Sequence, residues 1–438
     1  MTSVAVPGLT PVPGLSRSAA FAEAHRCLMC WDAPCVRACP TAIDVPGFIK
    51  RIAYEDDLGA ARVILEANIL GDSCAHVCPT SVLCEGACVL NDVDGRPISI
   101  GRLQGYATGP VVQGRVQLFT AAPATGKKIA VVGGGPAGLA CAAELTLLGH
   151  EAIVFDAASR PGGLNTRGVA EYKQPRTAAL AEIAWLQDLG VTVRQNTVVG
   201  EDVTFDELLG DYDALFFGAG LGAIPPLGIP GEALTGVEDA LQLIEAVKTG
   251  ATSPDAFTGK TVVVLGGGNT AIDAARLSVR LGAARTVVAY RRGPDEMPAY
   301  EHEVAEARRE GVAFSFWTAP HSVIGDGKVE AMRCHRTEPG DPDADGRPAV
   351  ITSEAPPFDV HADVVLRATG QATRQSLLAD LPDVATDGRG RIIVDDEQRT
   401  SQPGIWAGGD CVNGGKEVVN AVAEGMAAAR SIDQELRR

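Results

Sequence analysis

Eight of the eleven cysteines in this 438-residue chain fall between Cys27 and Cys88. The first group runs Cys27-x2-Cys30-x4-Cys35-x3-Cys39-Pro40; the second is Cys74-x3-Cys78-Pro79, then Cys84-x3-Cys88. Clustered thiols can hold zinc, pair as disulfides or carry iron–sulfur clusters. A C-x2-C opening with a C-x3-C-P close is the spacing of [4Fe-4S] ligands, where the last cysteine of a run ligates the neighbouring cluster. Two such clusters need eight donors, and on thiolate chemistry alone Cys74 completes the set. Four-cysteine zinc and a disulfide framework are the bland alternatives. Neither provides an electron outlet for the nucleotide motifs that follow. Cys141, Cys334 and Cys411 stand alone and read as packing residues. No CxxC pair lies in the nucleotide segments, which argues against a dithiol mechanism.

The second chemistry is phosphate binding. Gly133, Gly135 and Gly138, with Pro136 and Ala137 between them, follow the apolar run IAVV and open a helical pattern. The first glycine permits the turn, the second lets backbone approach a pyrophosphate, and the third lets helix and strand pack. Asp156 ends the next strand, 18 residues after Gly138, where an acid can bind a ribose hydroxyl. A plain glycine-rich turn is the alternative. The unit recurs as TVVVL, then Gly266, Gly267, Gly268, Asn269 and Thr270, with Ala271 at the third glycine position. Its second strand ends at Tyr290-Arg291-Arg292. Arginine there suits a 2′-phosphate, hence NADPH rather than NADH, although Asp295 and Glu296 pull the other way. A solvated arginine pair is the alternative.

Elements must position these groups. Residues 17–104 show short helical stretches, among them 45–53 and 57–68, and no strand alternation. Residues 1–16 read as a Pro-rich extended arm, a candidate clasp for a partner, and 109–126 as a linker. Then come two βαβ units about 133 residues apart. The acidic stretch 337–348 reads as a surface loop, and the C-terminus as strand, turn and final helix. The expected class is α/β: two Rossmann-like dinucleotide-binding domains of the two-dinucleotide-domain flavoprotein type, preceded by an α-helical iron–sulfur domain. With 38 Lys/Arg against 55 Asp/Glu, the formal charge of −17 opposes nucleic-acid and anionic-membrane binding. Apolar runs are too short for a bilayer span, and no signal peptide is visible at the N-terminus. Clustered cysteines beside nucleotide motifs point to a cytoplasmic metalloprotein. The seven histidines are scattered, and no catalytic residue is assigned.

The trio of GGGPAG, Pro161-Gly162-Gly163-Leu164 and Ala407-Gly408-Gly409-Asp410 resembles the FAD-binding pattern of two-dinucleotide-domain flavoproteins. The resemblance implies that Asp410 meets the ribityl–phosphate end of the flavin, that the helix from Val418 points its N-terminus at it, and that Ala368-Thr369-Gly370 crosses between domains. It also places Gly163, Leu164, Lys173 and Gly409 at the flavin site. The implied domains are 1–126 (clusters and linker), 127–258 and 371–438 (FAD), and 259–370 (NAD(P)H).

The segments CLMCWDAPCVRACPT, DSCAHVCPTSVLCEGACVLN and PISIGRLQGYAT resemble the N-terminal iron–sulfur domain of dihydropyrimidine dehydrogenases and the small subunit of NADPH-dependent glutamate synthases. The former resemblance implies Cys27, Cys30, Cys35 and Cys88 on one [4Fe-4S] cluster, and Cys39, Cys78, Cys84 and Gln104 on the other. The glutamate synthase pattern tends to have an acid where Gln104 stands; a helix-surface residue is the bland alternative. The implied cofactors are FAD, two [4Fe-4S] clusters and NADPH (or NADH). The implied role is an electron-input subunit serving an FMN-containing, pyrimidine-reducing partner in a hetero-oligomer. A glutamate synthase small subunit, a stand-alone NAD(P)H:acceptor oxidoreductase and a non-catalytic cofactor scaffold are the other readings.

Overall fold

Glycine turns and β-branched runs divide this chain into elements that no single sheet could absorb. The computed structural model describes residues 14–342, 348–381 and 383–438. Among these, the strands in chain order are β1 (Lys128–Val132), β2 (Glu151–Phe155), β3 (Thr192–Arg194), β4 (Ala214–Phe217), β5 (Val237–Asp239), β6 (Thr261–Leu265), β7 (Arg285–Ala289), β8 (Ala313–Ser315), β9 (Thr318–Ile324), β10 (Ala331–Pro342), β11 (Pro348–Thr352), β12 (Phe358–His361), β13 (Val364–Arg367) and β14 (Ile405–Ala407). Two parallel five-stranded sheets result, ordered β14-β4-β1-β2-β3 and β5-β13-β6-β7-β8. β1 and β6 are buried beyond their first residue, as parallel strands covered on both faces should be.

The chain divides into two compact units. Of the described residues, one comprises those within 167–172 and 222–372, the other those within 14–166, 173–221 and 373–438. The boundary expected at residue 258 therefore falls at 221/222. The physical reason is non-local: β5 pairs with β13, more than a hundred residues onward, so its stretch of chain joins the second sheet. The same unit carries β9–β12 as an antiparallel sheet with β10 paired to β9, β11 and β12. The expected acidic loop at 337–348 is thus mostly strand, since β10 runs to Pro342 and β11 starts at Pro348; residues 343–347 lie outside the described residues.

The other unit holds the cysteine-rich segment together with the first sheet. Helices Val45–Ala53 and Asp57–Ala67 stand where the apolar periodicity places them, with Asp44 and Asp56 side chains accepting from the amides of Gly47 and Gly59 at their N-termini. Helix Ile100–Gln113 overruns the expected start of the linker by several residues and keeps Pro110 inside it. Of the Pro-rich arm, residues 1–13 lie outside the described residues; Ser16 caps helix Arg17–Ala24. Helix Pro136–Leu147 and the final helix Val418–Leu436 cross at Gly425, where an added Cβ would collide with the carbonyl of Ala137. None of the described helices is long and apolar enough to cross a membrane.

Candidate functional site

The cysteines form two neighbourhoods. Cys27, Cys30, Cys35 and Cys88 line one small pocket, partly open to solvent and otherwise lined by apolar groups such as Val45, Ile49 and Ile98. Burial pushes the Cys35 thiol up to about 11, and the neighbouring Cys27 and Cys88 add to the rise. Burial likewise raises Cys27, which senses Cys30 and Cys88. In the second neighbourhood Cys78 is held well above the ordinary thiol range, first by its hydrogen bond with Cys74 and then by burial, with Cys84 and Cys39 beside it. Burial pushes Cys84 up to about 12. Without iron these are neutral thiols, and a cluster must displace their protons. Among the described residues no three Cys, His, Asp or Glu side chains converge as ligands of one metal ion.

Gln104 is buried on helix Ile100–Gln113, which brings Gly101 and Gly105 close to Ala75 of helix Gly71–Val77. Its Nε2 donates to the Gly71 carbonyl at 2.7 Å, and the Gln104 carbonyl accepts from Thr108 Oγ1 at 3.0 Å. Cys74, 2% exposed, lies on that same short helix. The fold thus brings both rivals for the eighth donor, Cys74 and Gln104, to the helix that ends at Cys78.

The flavin-type cradle gathers residues from across the chain. Gly133 has φ +100°, and an added Cβ would stand 2.5 Å from the Gly218 carbonyl, so only glycine makes this turn. A Cβ on Gly138 would collide with the Gly133 carbonyl. Gly135 caps helix Pro136–Leu147, and a Cβ there would meet only Gly163 Cα, at 3.9 Å: this is the glycine that leaves room for a ligand. Asp156 is buried; its Oδ2 accepts from Gly134 N at 2.6 Å and its Oδ1 from Ala158 N at 2.7 Å. A Cβ on Gly409 would come within 3.0 Å of Ala137 Cβ, so the C-terminal Gly-Gly-Asp turn lies on the same helix start. Gly409 N donates to Glu424 Oε2 at 2.6 Å, and Asn413 Nδ2 donates to its Oε1 at 3.0 Å. Burial, then the nearby Glu424 carboxylate, pushes Asp410 up to about 6. Val418 opens the final helix; Leu164 opens helix Leu164–Arg167; Lys173 is half-buried where the chain returns from residues 167–172.

The second cradle repeats the first. Gly266, at φ +146°, is pressed on the Ala368 carbonyl, and Gly267 on the Tyr290 ring. Gly268 caps helix Asn269–Arg280 with nothing within 4 Å of an added Cβ. Asn269 Oδ1 accepts from Tyr300 N at 3.1 Å, and Thr270 follows it in the first turn. Arg291 is exposed; Arg292 donates from Nε to the Pro348 carbonyl at 3.2 Å. Thr369 and Gly370 are exposed beyond β13. Cys141, Cys334 and Cys411 are buried, as packing residues should be.

Sequence patterns miss a third feature, a buried polar junction inside the larger unit. Glu182, on helix Arg176–Leu189, is 1% exposed. It accepts from the amides of Asp72 (2.9 Å) and Ser73 (3.2 Å) and from the Ser73 hydroxyl. Gln174 Nε2 donates to that hydroxyl at 2.6 Å, and Thr108 Oγ1 to Asp72 Oδ1 at 3.0 Å. Burial and the neighbouring Asp72 push Glu182 up to about 8. No spacing rule marks a glutamate that bonds a serine 109 residues away.

Parallel sheets with twin glycine cradles and a cysteine-ringed segment define a flavin- and pyridine-nucleotide-dependent oxidoreductase joined to an iron–sulfur domain. The chain belongs to the pyridine nucleotide-disulphide oxidoreductase family, whose model matches residues 117–425. Residues 11–115 match the model described as dihydropyrimidine dehydrogenase domain II, 4Fe-4S cluster. Its relatives include the glutamate synthase [NADPH] small chain of Escherichia coli, 39% identical over 95% of this chain and 91% of that protein. The NAD-dependent dihydropyrimidine dehydrogenase subunit PreT of Escherichia coli is 32% identical over 97% and 96%. The NADP(+)-dependent formate dehydrogenase subunit beta of Moorella thermoacetica is 36% identical over 93% and 60%. In fold, the chain is similar to FprA of Mycobacterium tuberculosis (TM-score 0.60, 22% identity, 72% of this chain and 85% of that one). It is also similar to T. acidophilum thioredoxin reductase (TM-score 0.56, 21% identity, 71% and 100%).

Three outcomes are expected. Anaerobically purified protein should carry about eight irons and no stoichiometric zinc by metal analysis; Gln104→Ala should lower the iron while Cys74→Ser retains it, and the reverse pattern exchanges the two donors. Replacing Arg291 and Arg292 by alanine should raise KM for NADPH roughly tenfold or more beyond any change for NADH, the loss of charge-assisted phosphate contacts. Because the Asp410 pKa is raised on folding, the folded state favours its protonated form. Flavin-free protein should then lose stability as pH rises through about 6. Asp410→Asn should recover roughly 1–3 kcal/mol at pH 8 and nothing at pH 4 in urea melts.

Proposed function

We propose that this chain is the NADPH-oxidising electron-input subunit of a two-component enzyme, holding FAD in the Gly133–Asp410 cradle, NADPH at Gly266–Arg292, and two [4Fe-4S] clusters on the cysteine groups. The observation that supports this best is the junction at Glu182. It bonds the cysteine-bearing helix Gly71–Val77 to the flavin-side helix Arg176–Leu189 within one compact unit. Bound FAD supplies the conversion of a two-electron hydride donor into single electrons for clusters. The chain's residues then have holding and orienting roles: open glycines admit the pyrophosphates, Asp156 and Asp410 offer carboxylates to sugar hydroxyls, and the cysteine thiolates hold the clusters. No nucleophile or acid–base pair is needed.

The acceptor is a separate chain. We favour a large subunit of glutamate synthase type, which transfers the amide nitrogen of glutamine to 2-oxoglutarate. Two facts support it: the 39% identity over nearly the whole length to an NADPH-dependent small chain, and the arginine pair at the 2′-phosphate position. A pyrimidine-reducing FMN subunit is the second reading, favoured by Gln104 in place of an acid. Purified alone, the chain should reduce ferricyanide with NADPH. It should turn over with glutamine and 2-oxoglutarate only when the large subunit is added, measured as NADPH loss at 340 nm. Turnover restored by uracil and an FMN subunit instead would establish the second reading, and uracil-dependent turnover by the chain alone would sink the subunit assignment.

A further inference from the structure

The loop between the first cluster ligands is shaped for display. Trp31, between Cys30 and Cys35, is fully exposed at 102%. Leu28 and Met29, between Cys27 and Cys30, are 58% and 37% exposed. Met29 sits at φ +52°, a left-handed conformation that unbranched apolar side chains seldom adopt. That turn brings the Met29 amide to the Cys27 sulfur and leaves the Leu28, Met29 and Trp31 side chains exposed around it.

The distribution is equally uneven at larger scale. Of the eleven exposed large hydrophobic residues described, nine lie from Phe21 to Val116. Charge follows the same division. Residues 14–115 hold nine Lys/Arg against eleven Asp/Glu, nearly balanced, while the whole chain holds 38 against 55. The acidic bulk repels a second copy of itself, and the near-neutral, apolar cluster segment does not rely on charge to find a partner. The relatives compared above include a small chain and two proteins named as subunits, each of a larger enzyme by its name. The order of the cysteine groups fits too. The Cys74–Cys78 helix is bonded to the flavin side through Glu182, whereas the pocket lined by Cys27, Cys30, Cys35 and Cys88 is partly open to solvent with Leu28 on its lining.

We propose that Leu28, Met29 and Trp31 form the docking surface for the electron-accepting subunit, a chain with an apolar recess beside a one-electron acceptor, flavin or iron–sulfur. Seated there, its acceptor lies next to the cluster site of Cys27, Cys30, Cys35 and Cys88. Trp31 is the anchor, since a fully exposed tryptophan gains most from burial at an interface centre. The inference rests on the electron-input function proposed above.

The test places a photo-crosslinking amino acid at position 31 of the full chain in its host, with position 393, an equally apolar exposed site far along the sequence, as control. Irradiation should join position 31, not 393, to a second polypeptide that contains FMN or iron–sulfur clusters and that this chain reduces with NADPH. With that polypeptide purified as the probe, Trp31→Glu should raise its Kd roughly thirtyfold or more, while Trp31→Phe stays near wild type. Iron content and ferricyanide reduction should not change in either variant. An adduct between two copies of this chain overturns the proposal. So does unimpaired partner-dependent turnover by Trp31→Glu. Complete catalysis by the chain alone, with no partner found, overturns the electron-input function and the docking surface together.

Discussion

A carboxyl group with almost no access to water ties the cysteine-bearing helix to the flavin-side helix. Glu182 spends its hydrogen-bonding capacity on the first turn of the helix that leads to Cys74 and Cys78, satisfying amides that a short helix cannot satisfy for itself. Burying such a group unpartnered would be severely destabilising, so the helix start and the glutamate fix each other's position. Electron transfer between a flavin and a cluster falls off steeply with separation, and a floppy linker between the two sites would disperse it. A buried polar contact, more directional than apolar packing, is the kind of constraint that keeps a distance constant.

The two dinucleotide-type turns, each within its own unit, show how little sequence is needed to specify such a cradle. Gly133 and Gly266 turn the chain because any side chain would strike a neighbouring carbonyl; Gly135 and Gly268 leave space that no protein atom fills. These requirements are local, so they were legible as motifs. The same holds for helices Val45–Ala53 and Asp57–Ala67, whose aspartate caps and apolar periodicity lie within a dozen residues of each other.

What was not legible depends on contacts between distant residues. The boundary at 221/222 follows from β5 choosing β13 as its neighbour, and three residues carry no label naming their partner. The strand at Ala331–Pro342 contains Gly and Pro in an acidic stretch that reads as loop; pairing on both sides outweighs those propensities. Glu182 looks like any helical glutamate until Ser73 is placed beside it. Cysteine spacing alone grouped Cys27 to Cys39 and Cys74 to Cys88; the placing of Cys88 beside Cys27, Cys30 and Cys35 was implied by the family resemblance, since it depends on a contact more than fifty residues away. Spacing did not rank Cys74 against Gln104, because both arrive on adjacent helices.

The interrupted sheet has a consequence for biosynthesis. β14 is the edge partner of β4, and Gly409 sits against the start of the helix that follows β1, yet both emerge after the entire inserted unit. A ribosome releases the cysteine-rich segment and β1–β4 first, then a self-contained second sheet, and only at the end the strand and helix that close the first. The inserted unit can mature while its host stays ajar. A chain cut short before β14 would keep the strands of the second sheet while leaving the first without its edge strand and without the helix that packs on Pro136–Leu147.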